Sequence, residues 1–425
     1  METDFQALGL DGIRILDLSR IWAGPLAGRI LADLGAEVIR ITSRATLPVS
    51  WVSPEVAEIM GIFPENDPGA RPWDRTALMN DLGRNKMDLT LELDTPEGIH
   101  VFKRLVKVSD VVLENYSPRV MPNFGLDYPV LKAIHPGIIM CSMSGFGLSG
   151  PYRNYVSYGT HLDAASGLAS LRGYPDRGPR MAGNPYPDPA AALHAVSAIL
   201  AALFFKRRTG QGQHIDLSQC ESATCLLGEA VLGFALTGRL PVRRGNRRPG
   251  RAPHGCYRCQ GHDQWVVLSI RSEKEWAALK EAMAYPAWAE EERFSNRMKR
   301  LDNQDELDGL IEIWTMRHGH QEVMTRLQQA GVPAGAVQNG AELIHDPHLN
   351  DRGFFWEIDH PEVGPRRYCG LPIRFSGTPV KARSRAPGLG EHNEYVLGEI
   401  LGLSENEIAE LKEKGVIGDK PKGRP

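Results

Sequence analysis

Cysteine is scarce in this chain, six in 425 residues, which excludes a small disulfide-stapled scaffold. An excess of charge of one sign is missing too: 49 Lys and Arg face 52 Asp and Glu, for a net charge of -3. Such a balance gives no bulk attraction to nucleic acid or to a membrane surface. The opening residues METDFQALGL lack a basic stretch followed by an apolar one, so they do not read as a secretory signal, and the cytoplasm is the expected compartment. The longest apolar run is interrupted by His194 and reads as short of the roughly 20 residues that a bilayer span needs. Cys256 and Cys259 form a lone CxxC without a second pair, so no metal site is expected. The run of Arg243, Arg244, Arg247, Arg248 and Arg251 has turn pairs and no interleaved aromatics, the pattern of a solvated linker. After the first strand-like segment stands SRIWAGPLAG where a dinucleotide-binding protein carries GxGxxG, which removes the main support for a nicotinamide enzyme. P-loop, GxSxG and HExxH patterns do not occur either.

The length exceeds what one core usually serves, so two domains are expected. Strand-like runs IRILDLS, EVIRIT, DVVLEN, GIIMCSMSG and HIDLS alternate with helical segments. The alternation predicts an open, mostly parallel sheet with helices on both faces, an α/β Rossmann-like architecture. Ligands of such sheets bind outside the carboxyl ends of the strands. Past about Leu240 the texture changes to a Pro/Gly/Arg-rich connector, a hairpin through GCYRCQGHDQWVVLSIR, and helices rich in Trp, Glu and Lys. The expected division is a large domain over 1–225, completed by 335–425, with linker and small α+β domain over 226–334. In the tail, GFFWEIDH and LPIRFSG read as strands and SENEIAELKEKG as a helix.

One stretch, NPYPDPAAALHAVSAILAALFFKRRTG, sets a single carboxylate between two prolines at the head of an apolar run. Asp188 suits an N-cap, and Pro189 the first helical position, where a missing N–H is harmless. The run is apolar on nearly every side, which predicts a buried helix. Lys206, Arg207 and Arg208 complement the far end of its dipole and Gly210 stops it. Local sequence alone leaves Asp188 a cap.

A wider pattern changes that reading. The segments DGIRILDLSRIWAGPLAGRILADLGAEVIRI, NKMDLTLELDTPEG, SDVVLENYSPRVMPNFGLDYPVL, GFGLSGPY, ILAALFFKRRTGQGQHIDLSQCESA and APGLGEHNEYVL are together similar to the class III (CaiB–BaiF) CoA-transferases, in order from about Gly12 to Leu401. The resemblance implies a Rossmann-like large domain, a small domain and two interlocked subunits. It further implies transfer of CoA from an acyl-CoA donor, such as succinyl-CoA, to a carboxylic acid, with CoA as substrate and no permanently bound cofactor. A homodimer is the expected partner state, with a heterodimer of related subunits the other possibility.

By the same resemblance, Asp188 is the nucleophile, its anion favoured by the helix N-terminus. Ala23 and Gly24 border the CoA path, Arg44 and Lys86 meet phosphate or ribose, and Asn115 and Tyr116 line the groove. Arg119 stands near Asn123, where relatives often have an arginine. Gly145, Gly183 and Asn184 are candidate oxyanion contacts because their loops are expected nearby. Trp22 occupies the position of a glutamine in the formyl-CoA:oxalate branch, and its apolar face suits an acid larger or more apolar than oxalate. Two alternatives stay open. An α-methylacyl-CoA racemase of the same fold would need a histidine where Tyr158 stands, with His161 three residues on; a non-catalytic, CoA-binding subunit would need no placed carboxylate.

Overall fold

The computed structural model describes residues 8–47, 59 and 61–422. Six strands build the main sheet: β1 (Arg14–Asp17), β2 (Glu37–Thr42), β3 (Lys86–Thr90), β4 (Val111–Glu114), β5 (Ile139–Ser142) and β6 (His214–Asp216). Their order is β3-β2-β1-β4-β5-β6 and every pairing is parallel. This is the doubly wound order, with its reversal between β1 and β4, so the crevice for a ligand opens beyond Asp17 and Glu114. Ile15, Leu16, Val38, Ile39, Val111, Val112 and Ile139 are buried; a parallel sheet covered by helices on both faces selects such runs of branched apolar residues. The chain therefore has the α/β architecture that strand and helix alternation predicts.

Two compact units emerge. The larger comprises Met1–Ala169, Met181–Gly238 and His348–Pro425, and the smaller Ser170–Arg180 and Arg239–Pro347. These bounds differ from the sequence division at three places. The Gly228–Thr237 helix stays with the larger unit, and Ser170–Arg180 joins the smaller one. The third difference arises because β9 (Ala334–Ala336) pairs with β8 (Trp265–Ser269), which keeps the residues just after 334 in the smaller unit. That unit has a three-stranded antiparallel sheet, β7-β8-β9, with β7 at His254–Arg258. Tyr257, Val266, Leu268, Trp276, Phe294 and Ile311 pack its core. In the tail β10 (Phe355–Ile358) pairs with β11 (Arg366–Cys369), so the second tail strand lies just before LPIRFSG, which carries no strand.

The Pro187–Thr209 helix corrects two expectations. It is not buried all round. Ala191, Ala192, Ala195, Val196, Ile199 and Ala202 pack with Ala23, Ala27, Ile30 and Leu31 of the Ala23–Asp33 helix. Leu193, Leu200, Phe204 and Phe205 are exposed on its other side. At 23 residues it is also long and apolar enough to span a bilayer by length and composition, as is the continuous helical stretch Gln219–Thr237. The helix ends where expected, at Gly210 with a left-handed φ of 72°, which glycine adopts without a Cβ penalty.

Beneath the crevice lies a buried ion pair. Lys86 Nζ sits 2.8 Å from Asp17 Oδ2, with both side chains about 1% exposed, and donates at 2.9 Å to the Pro25 carbonyl. Burial draws the Lys86 pKa down while Asp17 pulls it back up. Gly28 makes room for the pair, since a Cβ there would collide with the Asp17 carboxylate and the ammonium. The pair ties β3 to β1 and to the first turn of the following helix. Asp17→Asn should leave a cation buried without its counter-charge and lower stability by about 3–5 kcal/mol, read by urea unfolding of the whole chain. A loss below 1 kcal/mol would show that the pair does not hold these elements together.

Candidate active site

The segment between β1 and the Ala23–Asp33 helix is held from across the crevice. Asn115, just past β4, accepts from the Arg20 N–H at 2.7 Å and donates to the Arg20 carbonyl at 2.7 Å. Ser19 donates through its backbone N–H and hydroxyl to Asp17. Between these anchors Ile21 takes a φ of 69°, a left-handed conformation that costs a β-branched residue about 1–3 kcal/mol. Gly24 is required by close approach, because a Cβ there would overlap the Ser19 side chain.

The strained turn aims a helix at Asp188. The Leu26 N–H bonds the Trp22 carbonyl at 2.8 Å and Pro25 has no N–H, so Ala23 and Gly24 hold the orphan donors of this N-terminus. The Ala23 N–H faces the Asp188 carboxylate and favours its anion. Asp188 itself lies in the first turn of the Pro187–Thr209 helix, whose N-cap is Tyr186. Two helix N-termini thus converge on one carboxylate. Gly159 lies against it as well: a Cβ there would overlap Asp188 Oδ2 and crowd Pro185.

This geometry revises the cap reading. Asp188 follows the N-cap by two residues, and the N–H groups of its own backbone and of Ala23 favour its anion. Burial outweighs both and pushes its pKa up to about 6. The anion is therefore not favoured over its state in water, as the helix terminus alone suggests. At neutral pH it still predominates, poorly solvated and more basic than an exposed aspartate, which suits attack on a carbonyl.

Asp188 lines a cleft of about 360 Å³ together with Trp22, Asn115, Tyr116, Gly145 and Tyr158. Gly145 is pressed onto Ser157, and its carbonyl accepts from Cys220 N–H at 2.9 Å. Gly183 and Asn184 are exposed and do not line the cleft. His161 Nδ1 accepts from the Tyr158 N–H at 3.2 Å, which makes it a cap on the Gly159–Ala165 helix, outside the cleft lining. The racemase alternative would need this histidine in the cleft lining.

The cations sort differently from their sequence assignments. Lys86 is enclosed in its pair with Asp17. Arg44 donates to the Gly415 carbonyl at 2.6 Å and lies 3.5 Å from Glu92. Arg119 is exposed and does not line the cleft. A second cavity, above β1 and β2, is lined by Arg20, Ile21, Arg40, Thr42, Trp73 and Lys86. Arg20 and Ile21 border both cavities, so the two flank the strained turn. Sequence reasoning missed Ala23 as a donor, the Asn115 clamp and Gly159. A glycine at the head of the helix after SGPY was the available sign of the last.

A doubly wound sheet whose switch-point cleft is lined by one buried carboxylate defines a protein of nucleotide-binding architecture. The profile of CoA-transferase family III matches residues 10–393. The succinyl-CoA–D-citramalate CoA-transferase of Chloroflexus aurantiacus is 34% identical over 96% of this chain and 98% of its own. The succinate–glutarate CoA-transferase of Agrobacterium fabrum is 31% identical over 92% and 95%. A solved CAIB/BAIF family protein from Brucella suis superposes with a TM-score of 0.82 at 32% identity, covering 93% of this chain and all of that one. The chain belongs to CoA-transferase family III, and its activity is the movement of CoA between carboxylic acids.

Three measurements probe the carboxylate. Gly159→Ala should lower kcat by about 100-fold with CoA affinity nearly unchanged, because a displacement near 1 Å is enough to misalign a reacting group; steady-state kinetics and calorimetry would check it. The second is linkage. With a folded pKa near 6 against 3.8 unfolded, the folded state holds the extra proton between these values, so stability falls as pH rises from 4 to 6 and stays lowered above. Asp188→Asn should therefore stabilise the protein by about 1–3 kcal/mol at pH 8 and by nothing near pH 3.5. Wild-type kcat/KM should decline tenfold per unit below pH 6.

Proposed function

We propose that Asp188 is the nucleophile that carries CoA from succinyl-CoA to a carboxylic acid larger than oxalate. The single observation behind this reading is the buried Asp188 carboxylate facing the Ala23 N–H, with its pKa raised to about 6. The acids named in the relatives, succinate, glutarate and citramalate, support a substrate of this size. The Trp22 ring in the cleft wall supports it as well, since indole offers a broad apolar face and one donor.

The chemistry runs in four displacements. Asp188 attacks the donor thioester carbonyl, giving a mixed anhydride and releasing CoA thiolate. The thiolate attacks the aspartyl carbonyl and expels the donor carboxylate, leaving an aspartyl-CoA thioester. The acceptor carboxylate attacks that thioester, forming a second anhydride and freeing thiolate again. Attack of the thiolate on the acceptor carbonyl releases the new acyl-CoA and restores Asp188. Each tetrahedral oxyanion needs donors already in position. The Ala23 and Gly24 N–H groups take that role in this reading, ahead of Gly145 and in place of Gly183 and Asn184. Arg20 and Arg40, which face the cavity above β1 and β2, are the proposed contacts for the nucleotide end of CoA. Asn115 keeps the turn between them.

A second subunit fits the same reading. Leu193, Leu200, Phe204 and Phe205 on one helix and Val231, Leu232 and Phe234 on another are exposed. Clusters of large exposed apolar side chains suit a surface that another chain covers, and a second copy is the proposed occupant.

The test is a trap. Incubated with succinyl-CoA alone, the protein should accumulate an adduct on Asp188 that hydroxylamine releases, with no deuterium entering the α-carbon from heavy water. Asp188→Ala should form no adduct and lose transfer by more than about 1000-fold. Solvent deuterium at the α-carbon at the turnover rate, with no adduct, would replace transfer by racemisation.

A further inference from the structure

The wall of the Asp188 cleft carries two arginines and one carboxylate. Asp188 is that carboxylate, and the arginines differ in what they already hold. Arg20 donates to the Thr46 carbonyl at 2.7 Å and to its hydroxyl, and its guanidinium lies 5.9 Å from the Tyr116 ring centre. Arg153 has no ion pair or side-chain hydrogen bond among the described residues. A second cation in the lining of the cleft that holds Asp188, without an acidic partner among the described residues, leaves its counter-charge to a ligand.

The segment that carries Arg153 is braced. Tyr152 and Tyr155 stack at 4.9 Å, and both meet the Phe146 ring edge-on, at 6.0 and 6.1 Å. The Tyr155 N–H also bonds the Tyr152 carbonyl at 2.8 Å. Arg153 therefore sits within a closed turn fixed on each side by an aromatic ring, and the loss of freedom on binding a ligand there is small. Tyr155, Ser157, Tyr158 and Thr160, which all carry hydroxyls, line the same cleft. A planar guanidinium matches a carboxylate through two parallel N–H bonds, with neighbouring hydroxyls able to donate to the remaining lone pairs.

We propose that Arg153 reads the distal carboxylate of a dicarboxylic substrate while the other carboxyl group reacts at Asp188. The inference rests on Asp188 being the nucleophile and adds the substrate class and the residue that selects it. The reacting end needs no cation of its own, because it enters as a thioester or as a carboxylate that attacks the aspartyl-CoA thioester. The distal carboxylate keeps its full charge throughout, and Arg153 is the cleft cation left to meet it.

The experiment compares substrates matched in length: succinyl-CoA against butyryl-CoA as donors, and glutarate against pentanoate as acceptors, for the wild type, Arg153→Met and Arg153→Lys. The wild type should prefer the dicarboxylic member of each pair. Arg153→Met should lower kcat/KM for that member by about 10–100-fold, mainly through KM, and leave the monocarboxylic member and CoA affinity unchanged. Arg153→Lys should retain part of the preference. A uniform loss for all acyl-CoA substrates would assign Arg153 to CoA phosphate and overturn the proposal. An intact preference in Arg153→Met, or none in the wild type, would overturn it too. Hydroxylamine-releasable adduct from saturating succinyl-CoA should form in both wild type and Arg153→Met. Its absence from the wild type would sink the Asp188 reading, an outcome separable from any change in preference.

Discussion

One approach, of the Ala23 N–H to the Asp188 carboxylate, is the constraint around which the larger unit is arranged. It joins the first crossover of the sheet to a helix far along the chain, and it forms only if two helices pack closely with their N-termini at one point. Alanines make that possible. Ala23 and Ala27 on one helix and Ala191, Ala192 and Ala195 on the other belong to the same core cluster, and small side chains let backbones approach. The result is a carboxylate taken out of water yet facing two N-terminal turns, where burial and dipoles oppose each other. Burial wins, and a more basic anion follows.

The neighbouring strain serves the same end. A left-handed Ile21 persists only because Asn115 holds both polar atoms of the Arg20 peptide group from across the switch point. The clamp makes the two sides of the crevice one rigid frame. Gly24 and Gly159, each pressed against a side chain, remove the Cβ atoms that would hold the frame open. The site thus stores strain and an uncompensated charge, and its stability is drawn from the buried sheet and the Asp17–Lys86 pair below it. Such an exchange of stability for reactivity is usual where a functional group is held in an unfavourable state.

Much of the fold was legible. The alternation of branched apolar runs with capped helices identified the parallel sheet, since strands covered on both faces must be apolar throughout. Thr95, for instance, reads as a cap and accepts from the Gly98 N–H. The Asp188 motif was legible as a helix start, though its N-cap turned out to be Tyr186. Cations were the least legible part. Lys86 and Arg44 read as phosphate ligands, yet one is enclosed with Asp17 and the other with Glu92 and the Gly415 carbonyl. A positive charge in a sequence does not reveal which acidic group lies across the sheet from it.

Sequence alone determined the class of sheet, the helix that begins at the Asp188 prolines and the family to which its ordered motifs belong, because these depend on periodicity and on local backbone preference. Tertiary structure decided which N–H groups surround Asp188, how far its pKa moves, which face of its helix is left uncovered and which arginine in the cleft is unpaired. Those properties are sums over residues distant in the chain. Desolvation, the Asn115 clamp and the partnering of each cation exist only when β1, β4 and the two helices stand side by side.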